Sequence, residues 1–141
     1  MDQIVQTAAD LSVLHDAELY LVAMDREAAE LRLGFKGVDR GVRSVSFHGV
    51  LTHRIDNVQC QNVVSRILVS DAGLPLDGDI ERLVRWTSSV PGGRLLISEQ
   101  KLQAHMARVR SGELRLFYAE PSWGAEIGVI AERFHLSGGQ E

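Results

Sequence analysis

Two short polar motifs in the sequence contain residue types that could do chemistry. His15-Asp16 is the first, and Gln61-Asn62, directly before an apolar run, is the second. An imidazole beside a carboxylate can move a proton or hold a metal ion, and side-chain amides can hydrogen-bond either a ligand or a bulged backbone. Both motifs are therefore candidate binding residues.

The His15-Asp16 pair also has a purely structural interpretation. Metal-dependent phosphohydrolases with a His-Asp pair collect further His and Asp ligands from a helical domain, and this strand-rich chain lacks them. Adjacent residues of an extended chain point to opposite faces, so the two side chains are not expected to form a hydrogen-bonded dyad by themselves. We expect Asp16 to brace the entry to the first strand and His15 to be exposed.

The amide of Asn62 has two open interpretations as well, because it can bind a ligand or tie down an irregularity of the sheet. A third candidate segment lies near the end of the sequence and contains Ser122, Trp123 and Glu126. Ser122 stands in Pro-Ser-Trp-Gly rather than in a Gly-x-Ser-x-Gly elbow, so this hydrolase signature is absent.

The other reactive residue types do not form a metal or cofactor motif. Among the five histidines only His48 and His53 are close in sequence, and their odd separation puts them on opposite faces of a strand unless a bulge at Gly49 intervenes. Cys60 is the only cysteine and is expected to be a small buried hydrophobe. The sequence predicts no metal and no cofactor.

The hydrophobic pattern predicts strands in the first half of the chain and helices later. A short amphipathic helix over Asp2 to Leu14 precedes strand-like alternation from Glu18 to Ser70. Leu19 to Met24 is apolar at every position, which predicts a strand buried on both faces. The fold class is α+β: a mostly antiparallel sheet of about six to eight strands, beginning as an N-terminal meander, with two helices inserted before the last two strands.

Length and composition fit one globular domain, residues 1–141. The chain is 45% hydrophobic and 24% charged with a net charge of −4, so neither nucleic acid nor an anionic membrane is an expected partner. The start at Met1 lacks a basic region before an apolar run, and no apolar stretch approaches the ~20 residues of a membrane span. A single cysteine gives no disulfide framework, so a cytoplasmic location is expected.

Several short segments taken together resemble a group of small bacterial domains. The segments are Leu14 to Leu19 with its His-Asp-Ala, the Phe-x-Gly-Val step from Phe47 to Val50, the Gln-Asn-Val-Val run from Gln61 to Val64, and Glu120 to Glu126. Most such domains are uncharacterised, and some are immunity proteins of polymorphic toxin systems. The resemblance implies a protein partner such as a toxin and brings no catalytic residues with it. The two predicted helices between Asp71 and Gly112 have no counterpart in it.

Two functions from different classes remain as hypotheses. The first is a non-enzymatic protein-binding module, immunity-protein-like, with an exposed patch centred on Trp86, Trp123 or Tyr118, because aromatic side chains dominate interfaces. The alternative is a small-molecule-binding protein or a hydrolase whose polar cleft is formed by His15, Asp16, Asn62, Ser122 and Glu126. A homodimer joined through edge strands is a further alternative.

Overall fold

The computed structural model describes residues 3–4, 8–70 and 77–139. The strands are β1 (Gln3–Ile4), β2 (Glu18–Asp25), β3 (Glu30–Lys36), β4 (Val42–Asp56), β5 (Val63–Val69), β6 (Arg115–Trp123) and β7 (Glu126–Gly139). The helical segments are a 3-10 helix (Ala8–Leu14), α1 (Asp77–Thr87) and α2 (Glu99–Ser111). This order confirms the predicted α+β class, with α1 and α2 inserted before the last two strands. None of the helices described is long and apolar enough to cross a membrane.

The antiparallel sheet closes on itself. Its strand order is β1-β7-β4-β3-β2-β5-β6, and β7 also pairs with β6, so six strands form a ring while β1 adds to the edge of β7. β4 and β7 make the longest pairing, from Val42 with Gly139 to Asp56 with Glu126. The narrowest seam lies between β2 and β5, whose strand pairing in the described chain is limited to Glu18 with Val63.

Two hydrophobic clusters lie on opposite faces of the sheet, because successive residues of a strand alternate between faces. On β6, Phe117 and Ala119 belong to the inner cluster, whereas Leu116 and Tyr118 belong to the cluster beneath the helices. The inner cluster is centred on three phenylalanines with ring centroids 5.0 to 5.7 Å apart, namely Phe47, Phe117 and Phe134. Phe117 meets both other rings edge to face, a contact that stabilises a core beyond simple burial.

The second helix follows the sequence signals closely. Ser98 caps its start by accepting a hydrogen bond from the Lys101 backbone N–H at 3.1 Å, and Gly112 ends it in the left-handed region with φ of 86°. Helical spacing predicts an inward stripe of Leu102, His105 or Met106, and Val109. Leu102, Met106 and Val109 are buried, whereas His105 is half-buried. This stripe packs over the sheet in the cluster that contains Leu116.

The chain around β2 departs from the sequence-based expectation in three places. The expected helix over Asp2 to Leu14 is wrong at Gln3–Ile4, because these residues form β1 and pair with β7. β7 lies near the other end of the sequence, so no local pattern predicts this pairing. Ala8–Leu14 is helical, but as a 3-10 helix. The apolar pattern predicts one strand over Val58 to Ser70, but the strand begins only at Val63, because residues 57–62 form a loop. Gly73 and Pro75 are residue types that predict a loop, and both lie outside the described residues.

Candidate binding surface

Asn62 is a structural brace at the turn into β5. Its buried Oδ1 accepts hydrogen bonds from the backbone N–H of Gln59 at 2.8 Å and of Ala125 at 3.0 Å. Its Nδ2 donates to the Gln59 carbonyl at 2.9 Å. One side chain therefore joins the loop before β5 to the turn between β6 and β7, next to register shifts in β5. Of the two interpretations of Asn62, these contacts fit the one in which its amide ties down an irregularity of the sheet. The neighbouring Gln61 is exposed.

His15 and Asp16 lie within ion-pair distance of each other, so the expectation that these adjacent side chains point to opposite faces is wrong. Nδ1 of His15 lies 3.3 Å from Oδ2 of Asp16, and both side chains are more than half exposed. The reason is that Asp16 is not extended but has a positive φ of 62°, which turns the two side chains toward one side. The Asp16 backbone N–H donates to the Val64 carbonyl at 2.9 Å, which braces the entry to β2.

The third candidate segment divides between two environments. Ser122 and Trp123 are exposed at the end of β6, where Trp123 pairs in register with Val63. Glu126 is half-buried at the start of β7 and accepts a hydrogen bond from the Tyr118 hydroxyl at 2.5 Å. Burial and this carboxylate raise the pKa of Tyr118, which stays neutral and donates.

The backbone segments that carry the predicted cleft residues therefore lie close together, but their side chains bind different partners. Asp16 lies beside Val64, and Asn62 reaches the turn that follows Trp123. Yet the Asn62 amide is bound to backbone groups and the Glu126 carboxylate to Tyr118. The Asn62 and Glu126 side chains therefore stabilise the sheet and do not present an acid and a base to a shared substrate.

Most of the remaining reactive side chains lie apart, although the His48 ring stacks on the His135 ring with centroids 5.2 Å apart. His48 lies 2.9 Å from a carboxylate oxygen of Glu30, whereas His53 pairs in register with Val129. Gly49 has a positive φ of 64°, but the register shift of β4 lies between Val50 and Thr52. Cys60 is exposed in the loop before Asn62, and the expectation of a buried thiol is wrong. Within residues 3–4, 8–70 and 77–139, no group of three or more His, Cys, Asp or Glu side chains is placed to hold a metal ion.

The largest departure from expectation is the exposure of β2. Val22 and Met24 pair in register with Leu33 and Leu31, which are fully or almost fully buried. Directly opposite residues project to the same face of a sheet, so Val22 and Met24 point to the core face. Their exposed fractions are nevertheless 45% and 61%. The expected burial of this strand on both faces is therefore wrong.

The cause of this exposure is the short seam between β2 and β5. After the hydrogen bond from Leu19 N–H to the Asn62 carbonyl, no described strand lies along the edge of β2 from Tyr20 to Asp25. A groove runs along that edge against the loop, lined by Tyr20, Val22 and Val58, with Tyr20 and Val58 both more than half exposed. We call Tyr20, Val22, Met24 and Val58 the β2 surface.

The β2 surface differs from the patch that sequence reasoning expected. Tyr118 is buried and Trp86 is half-buried under Arg54, whose guanidinium lies 4.3 Å from the Trp86 ring centroid. Trp123 alone of those three aromatic residues is exposed. The signal for the β2 surface was present in the sequence as the unbroken apolar run Leu19 to Met24, but such a run does not tell which of its faces the fold covers.

Comparisons with known proteins found no relative of this chain. No protein-family model, no curated protein and no solved structure matches the chain.

Proposed function

We propose that this chain is a non-enzymatic protein-binding module, immunity-protein-like, whose partner covers the β2 surface. The observation that carries the proposal is the exposure of Val22 and Met24 on the core face of β2, along whose edge from Tyr20 to Asp25 no described strand lies. Covering apolar side chains of this size stabilises a complex by about 1.5–3 kcal/mol each. Exposed apolar surface beside unpaired backbone groups is typical of a protein interaction site.

The partner that fits this surface is an extended segment of another protein. Such a segment adds as a strand to the edge of β2, satisfies its backbone groups, and places alternate apolar side chains against Val22 and Met24. Glu18 is the charged residue that lines the groove, so a Lys or Arg at the matching position of the segment completes the contact. A second copy of this chain is less suitable, because two copies with a net charge of −4 repel each other.

The alternative of a small-molecule-binding protein or hydrolase has weaker support. Its cleft depends on His15, Asp16, Asn62, Ser122 and Glu126 acting on a shared ligand. Asn62 and Glu126 are already bound to backbone groups and to Tyr118. The resemblance to immunity proteins instead makes a toxin the partner to test first, beginning with the product of a neighbouring gene.

Photo-crosslinking from a single residue tests the surface directly. A benzoylphenylalanine placed at Val22 is expected to trap one protein in cells that make this chain, whereas the same group at Gln103, exposed on α2, traps none. The trapped protein is then purified and its affinity for the chain is measured by calorimetry. A cross-link between two copies of this chain would instead support the homodimer.

Two double variants, each of which replaces two exposed apolar residues by glutamate, compare the β2 surface with a control surface. We expect Val22→Glu with Met24→Glu to weaken binding by roughly 100-fold, which corresponds to about 3 kcal/mol of lost apolar contact. Val38→Glu with Val42→Glu changes exposed apolar residues elsewhere and is expected to bind normally. Equal affinities for the two double variants, both folded by circular dichroism, would contradict the proposal.

A further inference from the structure

A pocket of about 340 Å³ lies between β4, the loop after α1 and the side of α2. Its apolar walls are Leu51, Leu96 and Ile97. Its polar lining residues are Thr52, Ser88, Lys101 and His105, none of which belongs to the β2 surface. The proposed protein-binding function leaves this pocket without a role.

Ser88 is the first sign that the pocket is built for a ligand. The residue is 1% exposed, and its hydroxyl has no hydrogen-bond partner among the residues that the structure describes. The hydroxyls on either side are satisfied: Thr87 donates to the Leu83 carbonyl at 2.7 Å and Ser89 donates to the Arg85 carbonyl at 2.6 Å. A buried hydroxyl without a partner is costly, so its retention at this one position asks for an explanation.

His105 supplies the second sign. Its Nδ1 is also buried without a hydrogen-bond partner, and among the residues the structure describes it shares this property with the Ser88 hydroxyl alone. Both residues line the same pocket. Ser88 has a single side-chain torsion, so one rotamer change turns its hydroxyl toward a ligand there.

The charge around the pocket is positive. Lys101 lies one turn before His105 on α2, and Glu99, the nearest acid on that helix, is held by Arg85 at 2.8 and 3.0 Å. Burial, together with the positive charges of Lys101 and Arg108, lowers the pKa of His105 from its ordinary value of 6.5. The ring is therefore neutral at pH 7 and carries one donor and one acceptor nitrogen.

We infer that this pocket binds a small organic carboxylate with a short aliphatic chain. The carboxylate lies at the Lys101 ammonium, within reach of the Ser88 hydroxyl and the His105 ring, and the aliphatic chain lies against the apolar walls. One ammonium and two neutral donors match a single negative charge. A phosphate, which carries more charge and has no apolar part, would leave those walls uncovered and its own charge poorly matched.

Titration of the purified chain with sodium butanoate tests this inference. We expect saturable shifts of the Thr52, Ser88 and His105 amide resonances, and at least tenfold weaker binding of butan-1-ol and of inorganic phosphate. Because a bound carboxylate favours the imidazolium, the His105 pKa is expected to rise on binding, which the ring proton resonances report. Butan-1-ol has the aliphatic chain without the charge, and phosphate has charge without the aliphatic chain. The two probes therefore separate recognition of the charge from recognition of the apolar chain.

Two matched variants separate the ligand role of each polar side chain from a structural one. Ser88→Ala is expected to weaken butanoate binding at least threefold while leaving the free chain as stable or more stable, whereas Ser89→Ala leaves binding unchanged and lowers stability. Lys101→Met is expected to weaken binding at least tenfold, and Lys36→Met, at the chain's other lysine, to leave it unchanged.

The inference is overturned by any of three results. The first is the absence of saturable shifts up to 50 mM butanoate, roughly the weakest affinity that such a pocket would need. The second is equal binding of butanoate and butan-1-ol. The third is unchanged binding by Ser88→Ala, which would mean that its hydroxyl holds only water.

Discussion

At the scale of single residues, Asn62 shows how one amide can fix the path of two distant segments. Its oxygen and nitrogen together make three hydrogen bonds to backbone groups, two of them to Gln59 and one to Ala125. Gly124 precedes Ala125 with a φ of 81°, and a side chain there would collide with the Asn62 oxygen. The loop before β5 and the turn before β7 are therefore specified by each other.

Asn62→Ala is expected to lower the free energy of unfolding by about 2–3 kcal/mol, because buried backbone groups lose their partners. Gln61→Ala changes the exposed neighbouring amide and is expected to stay within about 0.5 kcal/mol of the parent chain. Urea unfolding followed by circular dichroism measures both. A loss below about 0.5 kcal/mol for Asn62→Ala would show that water replaces the amide.

The candidate residues themselves could be predicted only in part. That Asn62 braces an irregularity follows from its place before an apolar strand, but its partner Ala125 lies far away in sequence and no local pattern points to it. The contact of His15 with Asp16 depends on the positive φ of Asp16, which the sequence alone does not fix. Local chemistry was predictable, and the partners that tertiary structure supplies were not.

At the scale of elements, predictions succeeded where the signal was local. The start of α2 follows from Ser98 and its end from Gly112, since capping needs only neighbouring residues. The exposure of β2 could not be predicted, because it depends on how far β5 runs beside it. An apolar strand edge has the same sequence whether a neighbouring strand covers it or not.

Ser98→Ala tests the contribution of the cap to α2. Loss of the hydrogen bond to the Lys101 N–H is expected to lower the free energy of unfolding by about 1 kcal/mol. Gln100→Ala, exposed in the first turn of the same helix, is expected to change it by less than about 0.5 kcal/mol. Thermal unfolding in parallel distinguishes them, and equal melting temperatures would mean that tertiary packing alone holds the start of α2.

At the scale of the whole molecule, two half-buried histidines couple folding to pH. Burial lowers the pKa of His53, and burial with the nearby cations Lys101 and Arg108 lowers that of His105. The unfolded chain therefore takes up protons first as the pH falls below 6.5, so stability is full above that pH and declines beneath it. Asp39 and Glu99, with pKa values lowered to about 2, begin to lose their contribution only in more acidic solution.

The double variant His53→Leu with His105→Leu is expected to flatten the dependence of the unfolding free energy on pH between 5 and 7, roughly the range in which histidine titrates. His15→Gln is the control, because that side chain is 63% exposed. Urea unfolding at a series of pH values measures the slope. An unchanged slope in the double variant would assign the acid sensitivity to other groups.

The closure of the sheet also sets the order in which the molecule can be assembled. β7 lies between β4 and β6, and its pairing with β4 joins Val42 to Gly139 across more than half of the chain. Contacts between residues so far apart form slowly, because a long loop must first close and lose conformational entropy before the contacts can stabilise it. On a ribosome, β4 emerges long before the strand that covers its edge. The ring can close only after residues 126–139 have been made, and until then the unpaired strand edges of the nascent chain are prone to aggregation.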